Sequence, residues 1–173
     1  TSIGKGDIMD DMKIFLINLD RQEQDTGSAW FTLPCDIEEM KETIGLSVDS
    51  ERYLISDFSL PFEIAENADL STINEVCMSI AGNDFPYEDI RFLQKAWFPT
   101  LSELYNGLDE ITRYEKCSTM EEVSAYLINE CAELGEVSPQ LYPYINYKGY
   151  ADTLETLGTF LCVNGSVYEY HQL

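Results

Sequence analysis

Three kinds of residue in this chain could do chemistry: adjacent carboxylates, a single histidine and five cysteines. The carboxylates stand side by side at Asp10-Asp11, Glu38-Glu39, Glu88-Asp89, Asp109-Glu110 and Glu121-Glu122. Such pairs can work as general acid and base, or hold a divalent cation through oxygen ligands. With 32 Asp and Glu in 173 residues, adjacency arises by chance, and none of the pairs stands in a recognisable site motif. Glu39-Met40-Lys41 supplies the Glu-x-Lys triplet that nuclease sites use. Its nearby acid, Asp36, falls on the same predicted helical turn rather than on a separate strand, so the triplet reads as helix surface. His171 is close to the last residue, where a frayed position is expected. The cysteines (35, 77, 117, 131 and 162) are odd in number, scattered, and form no Cys-x-x-Cys pair. They read as free thiols of a reducing, cytoplasmic setting, mostly buried as small apolar side chains. Gly4-Lys5-Gly6 lacks the spacing of a phosphate loop, and no dinucleotide or calcium-loop spacing occurs. The residues therefore give no catalytic site, no metal site and no cofactor.

The number of carboxylates is more informative than their pairing. Against 32 acids stand 10 Lys and Arg, for a net charge of −22. A surface of that sign repels phosphates, which excludes direct nucleic-acid binding through a basic patch and disfavours anionic membranes. Aromatic residues at 12% and hydrophobic residues at 45% exclude wholesale disorder. No apolar run approaches a membrane span.

The elements that must carry this charge alternate in type. Residues 1–11 read as a leader outside the fold, disordered or added ahead of the natural start, since Met9 and Met12 are both plausible initiators. Residues 12–60 read as an N-terminal α+β subdomain. It has strands at Lys13–Leu19, Ala29–Leu33 and Tyr53–Phe58, and a helix from the Asp36 cap to Gly45. Residues 61–107 read as a helical middle. One helix is capped at Ser71, a second opens after Pro86, and a third opens with the Thr100–Glu103 capping box. Residues 108–173 read as a C-terminal α+β subdomain. Ile111 to Lys116 alternates as a strand, a helix opens at the Ser118–Glu121 box and closes at Gly135, and Tyr147–Leu157 is helical. Asn164-Gly165 between two alternating runs is a hairpin turn. The fold class is α+β, an elongated series of small subdomains: sheet with helix, helical middle, sheet with helices. The acid excess is shared by all three segments, so it belongs to the folded surface and not to a tail.

On the helix expected over residues 119–134, Met120, Val123, Leu127, Cys131 and Leu134 make one apolar face. Glu121, Glu122, Glu130 and Glu133 occupy the remainder, with Glu136 just beyond. Like charges three or four residues apart destabilise a helix by a few tenths of a kcal/mol per pair, and their retention fits a basic partner. Strongly basic protein surfaces are mostly those that bind nucleic acid.

The chain resembles the ArdA-type antirestriction proteins from about Met12 onward. Trp30-Phe31-Thr32-Leu33-Pro34 is similar to that family's Trp-Phe/Val-x-Leu-Pro element. Tyr53-Leu54-Ile55-Ser56-Asp57-Phe58 resembles its aromatic-x-Ile-x-Asp-aromatic strand, with Ser56 where the family often has His. The best match is Leu134-Gly135-Glu136-Val137 followed by Tyr144-Ile145-Asn146-Tyr147-Lys148-Gly149-Tyr150. The family commonly reads Tyr-Ile-Asp-Tyr-Glu-Ala and then Arg-Asp-Leu there, so Asn146, Lys148 and Asp152 are departures.

The resemblance implies an acidic dimer that mimics bent duplex DNA and carries no catalysis or cofactor. Its targets are type I restriction-modification enzymes, at their methyltransferase and specificity subunits, and such proteins are usually encoded on mobile elements. Under this reading the DNA-mimic surface comprises Asp36, Glu38, Glu39, Glu42, Asp49, Glu51, Glu63, Glu66, Glu88 and Asp89 in the first two subdomains. In the third it comprises Asp109, Glu110, Glu115, Glu121, Glu122, Glu130, Glu133 and Glu136. A dimer would match the charge of about 75 Å of duplex. Val137–Ala151 contains no acid but holds Tyr142, Tyr144, Tyr147 and Tyr150, which makes it the expected dimer contact, since tyrosine is enriched in interface cores. Two alternatives stay open: an acidic adaptor for another basic protein, and a carboxylate-based metal-dependent hydrolase.

Overall fold

The computed structural model describes residues 12–172; the expected leader, residues 1–11, lies outside them. The chain is mixed α+β, with two small antiparallel sheets and, in chain order, helices between the strands of each sheet and between the two sheets. It divides into two compact units at the Leu108/Asp109 boundary.

The first unit is built on strands β1 (Lys13–Asn18), β2 (Ser28–Thr32) and β3 (Tyr53–Ser59) in the order β2-β1-β3. β1 alternates strictly, with Ile14, Leu16 and Asn18 buried and Lys13, Phe15 and Ile17 half-buried on the other face. Its pairing with β3 shifts register between Phe15 and Leu16, which leaves Ser56 as the extra residue of a bulge. Asn18 is the polar member of the inward row. Its side-chain amide donates to Ile44 O at 3.0 Å, and its oxygen accepts from Asp20 N at 2.9 Å.

Four helices complete this unit. They are α1 (Ile37–Thr43), α2 (Leu70–Ala81), α3 (Tyr87–Trp97) and α4 (Leu101–Gly107). Asp36 caps α1, accepting from Glu38 N and Glu39 N, and Gly45 follows it at φ +73°, the left-handed conformation expected of that glycine. The α2 cap is Asp69, not Ser71: its carboxylate accepts from both Thr72 N and Thr72 Oγ1. An aspartate at this position both accepts the bond and favours the positive helix end, so the helix starts earlier and Leu70 enters the core. The Thr100–Glu103 capping box forms as expected. Ile73, Val76, Ile80, Ile90, Leu93 and Phe98 are all essentially inaccessible, as are Ile14 and Leu16 of β1.

A 3-10 turn (Leu108–Glu110) spans the boundary, and the second unit continues with β4 (Ile111–Tyr114). After α5 (Met120–Asn129) come a 3-10 helix (Pro139–Tyr144), α6 (Tyr147–Leu157), β5 (Thr159–Val163) and β6 (Ser166–Tyr170). The sheet order is β4-β6-β5. Asn164 and Gly165 adopt φ +48° and +83°, the signature of the tight hairpin turn the sequence announces. The core here is smaller: Cys117, Met120, Val123, Ala151 and Val167, with Tyr114, Leu127, Leu154 and Phe160 packed against them. His171 is not frayed. Its backbone N–H donates to Glu110 O at 2.8 Å, and its Nε2 lies 2.7 Å from Thr112 Oγ1, so the chain continues alongside β4 beyond the last strand.

α5 ends sooner than the spacing of apolar residues suggests. Thr119, one residue later than expected, caps it by accepting from Glu122 N, while the Glu122 carboxylate accepts from Ser118 N. The last turn is closed at Glu130 and Cys131, both donating to Tyr126 O, and Ala132 takes φ +51°. Cys131 and Leu134, expected on the buried face, are therefore exposed beyond the helix. Glu130 is the capping residue, and Glu133 stands in the following turn instead of one helical step away.

Candidate acidic surface

Carboxylates need water, partners or a helix end, and this fold supplies the first almost everywhere. Every Asp and Glu among the described residues is exposed except Asp89, Glu110 and Glu169. Asp89 corrects the expected surface, since it is 2% exposed. It stands in the first turn of α3 beside buried Ile90, on the face that turns inward. A helix N-terminus tolerates an inward carboxylate because the backbone N–H groups there are unpaired and the dipole is positive. Its neighbour Glu88 faces solvent. Glu110 is only half-buried, in the 3-10 turn.

The remaining expected residues group by element. Asp36, Glu38, Glu39 and Glu42 lie at the cap and along α1, with Asp49 and Glu51 in the loop that follows. Glu63 and Glu66 lie in the segment after β3. Asp109 and Glu115 flank β4, Glu121 and Glu122 form the first turn of α5, and Glu130, Glu133 and Glu136 follow its end.

The bases decide how much of this charge is available to a partner. Lys41 is buried. Its ammonium donates to Val48 O at 2.9 Å and to Glu51 at 3.2 Å, which explains why Glu39-Met40-Lys41 forms no site: the lysine points inward and the glutamate outward. Arg91 pairs with Glu63 at 3.1 Å and donates to Leu60 O. Buried Gln94 brackets the backbone of Glu63, donating to its carbonyl and accepting from its N–H. Arg52 pairs with Asp20 at 2.8 Å. In the second unit Lys148 pairs with Asp152 at 3.3 Å, one helical turn apart. No ion pair among the described residues engages Asp109, Glu115, Glu121, Glu122, Glu130, Glu133 or Glu136.

The three departures from the antirestriction pattern are thereby explained locally. Asn146 caps α6, its side-chain oxygen accepting from Gly149 N at 3.0 Å, a task Asn and Asp perform equally well. Lys148 and Asp152 are each other's partner.

The tyrosines divide into two kinds. Tyr142 OH donates to Asn129 O and Tyr147 OH donates to Asn129 Oδ1, so both tie their segment to the end of α5. Ser124 adds a third tie, donating to Tyr147 O. Tyr150 is half-buried; burial, and after it the Glu133 carboxylate, raise its phenol above the ordinary value. Tyr144 alone is open, at 84% exposure. Leu134, expected on the buried face of α5, is exposed in this unit together with Leu141 of the 3-10 helix and Leu157 at the end of α6.

Among the described residues no group of three or more His, Cys, Asp or Glu is placed to hold a metal ion, and no helix is long and apolar enough to cross a membrane. The fold and its surface define a small polyanionic α+β protein. The family model for the antirestriction protein (ArdA) matches residues 23–169, nearly the whole chain, and the chain belongs to that family. No curated protein matches it.

Proposed function

We propose that this antirestriction protein acts as a mimic of DNA. It occupies the DNA-binding groove of type I restriction-modification enzymes, at their methyltransferase and specificity subunits, and competes there with duplex. One observation carries the reading: the acids of the described residues face outward with few exceptions, while four of the nine described bases, Lys41, Arg52, Arg91 and Lys148, are held by the chain's own carboxylates. The net charge of −22 is therefore presented by the fold instead of being cancelled within it. It equals the charge on about 37 Å of duplex per chain.

Binding of this kind is electrostatic. Lysines and arginines that line an enzyme's groove exchange phosphate for carboxylate and release small ions, so affinity falls steeply with salt. It carries no base sequence, because backbone contacts position a protein while base edges specify. The protein takes part as a non-catalytic ligand, in the cytoplasm where its targets meet DNA. A second copy doubles the length of the anionic surface, and the exposed Tyr144 of the acid-free segment is the residue through which we place the homodimer contact.

The test is binding of a labelled duplex to a purified type I methyltransferase, with and without this protein, at several salt concentrations. Competition with both specific and nonspecific duplex, weakening as salt rises, is the expected result. A ternary complex of enzyme, duplex and this protein would overturn the reading and favour an acidic adaptor bound elsewhere on the enzyme.

A further inference from the structure

We propose that the outer face of the first sheet is a docking site for an arginine side chain of the basic partner, with Trp30, Phe15 and Asp57 as its receptor. The proposal rests on the reading of the protein as an acidic ligand of a basic surface, and adds an anchor that charge alone does not provide.

The two sequence stretches around Trp30 and Asp57 meet across β1. Phe15 is paired in register with Trp30 on β2 and with Asp57 on β3. Cross-strand partners share a face, so the three side chains form one row on the face opposite Ile14 and Leu16. Trp30 is 50% exposed although it is the largest side chain of its strand, and its ring packs on Phe15 with centroids 5.3 Å apart at 49°. It stands on the edge strand. Asp57 is exposed, accepts only from the neighbouring Phe58 N–H at 2.8 Å, and has no ion pair among the described residues. Lys13, the base on the same face, stands one register step away, opposite Thr32 and Ser59, and forms no ion pair with Asp57.

A single exposed tryptophan needs no explanation. Two aromatic rings beside an unneutralised carboxylate, on a protein of net charge −22, select a particular partner. The ring faces attract a cation, and the carboxylate accepts hydrogen bonds. Trp30 and Asp57 are two strand spacings apart, about 10 Å, with Phe15 between them. A guanidinium lying flat over the Trp30–Phe15 step satisfies both ends, because its plane stacks on the rings while its edge donates toward Asp57. The compact, strongly hydrated ammonium of lysine does one or the other. The same planar group is what proteins use to hold phosphates, so arginines are present on the surfaces that DNA occupies.

The test uses the isotope-labelled chain titrated with deca-arginine and with deca-lysine at equal ionic strength, followed by nuclear magnetic resonance. The Trp30 indole N–H resonance is expected to move with deca-arginine and the Trp97 indole to stay. Deca-arginine is expected to bind roughly two- to five-fold more tightly than deca-lysine. That preference is expected to vanish in Trp30→Leu, to persist in Trp30→Phe, which keeps a ring face, and to shrink in Asp57→Asn. Equal affinity of the two peptides for the natural chain overturns the proposal, as does a preference that survives Trp30→Leu. The indole shift requires no variant, so it decides the matter even where a substitution disturbs folding. Because the assay contains no restriction enzyme, equal affinities remove the arginine anchor and leave duplex competition standing. Failed duplex competition with an intact arginine preference removes the DNA-mimic reading alone.

Discussion

The two units solve the same charge problem differently. The first buries polar groups deliberately: Lys41, Asp89, Gln94 and Asn18 are all inaccessible, and two of them use their bonds to fix acidic loops. Lys41 holds Glu51 and the Val48 carbonyl, and Gln94 brackets Glu63 while Arg91 takes its carboxylate. The second unit has a smaller core and ties its surface by hydroxyls instead, through Asn129 with Tyr142 and Tyr147, and Ser124 with Tyr147. Among the described residues, no cation pairs with its acids around β4 and α5. A partner must therefore displace a cation to use Glu51 or Glu63 in full, but not to use Glu121 or Glu133. The first unit contributes rigidity to its carboxylates and the second contributes availability.

The largest expected effect tests the difference in core depth. Ile73→Ala in the first unit should cost about 2–5 kcal/mol, while Val123→Ala in the second should cost nearer 2 kcal/mol, since fewer buried carbons are removed. Urea unfolding followed by circular dichroism measures both; a reversed order would mean that the second core is the tighter packed. The next effect concerns availability. Replacing Glu121, Glu122, Glu130 and Glu133 together by Lys should weaken competition with duplex roughly ten-fold or more, whereas the same four-fold change at Glu38, Glu42, Glu51 and Glu63 should weaken it less. Each single Glu→Gln at the α5 sites should change it by no more than about two-fold, because one charge among many is removed. One carboxamide substitution that abolished activity in a folded protein would point to a catalytic or metal site instead.

A smaller effect probes the hydroxyl ties. Asn129→Ala removes the acceptor of Tyr147 OH, and about 1 kcal/mol of stability should go with it, read as a lowered thermal midpoint. Asn129→Asp, which keeps an acceptor, should retain most of it. The smallest is a pH effect in the first unit. Tyr53 is buried and its phenol is pushed up to about 12, by burial first and by the Glu51 carboxylate second, while its OH donates to Ala68 O at 2.9 Å. A phenol whose folded value is raised stabilises the protein fully below its unfolded value near 10, and that contribution is lost as pH rises toward 12. Tyr53→Phe should flatten the fall in denaturant midpoint between pH 10 and 12; an unchanged slope would assign the alkaline loss to other groups. Tyr114 is the counterpart in the second unit, raised by burial and by the Glu169 carboxylate it bonds at 2.7 Å, so the double variant should flatten the fall further.

Much of the fold is legible in the residues because its signals are local. The Thr100–Glu103 box, the Asn164-Gly165 hairpin and the span of α6 follow from interactions within a few residues. Elements fail to be legible where a longer-range bond decides. The short α5 depends on the left-handed Ala132 and on a turn that brings Glu133 N onto Leu127 O, neither of which has a strong single-residue signature. The early start of α2 at Asp69 was available in principle, but Ser71 is an equally good capping residue by type, and only the burial of Leu70 separates the two.

The same division runs through the acidic surface. Net charge, acid spacing and the order of the family-like stretches follow from the sequence alone, because composition sets charge and short motifs survive without knowledge of their neighbours. Tertiary structure decided which carboxylates are free. Asp89 turns inward, Glu51 and Glu63 meet bases ten and twenty-eight residues away along the chain, and Trp30 and Asp57 come to flank Phe15. Charge is additive along a chain and can be counted there, whereas burial and pairing are properties of positions in space, which exist only once the strands have chosen their register.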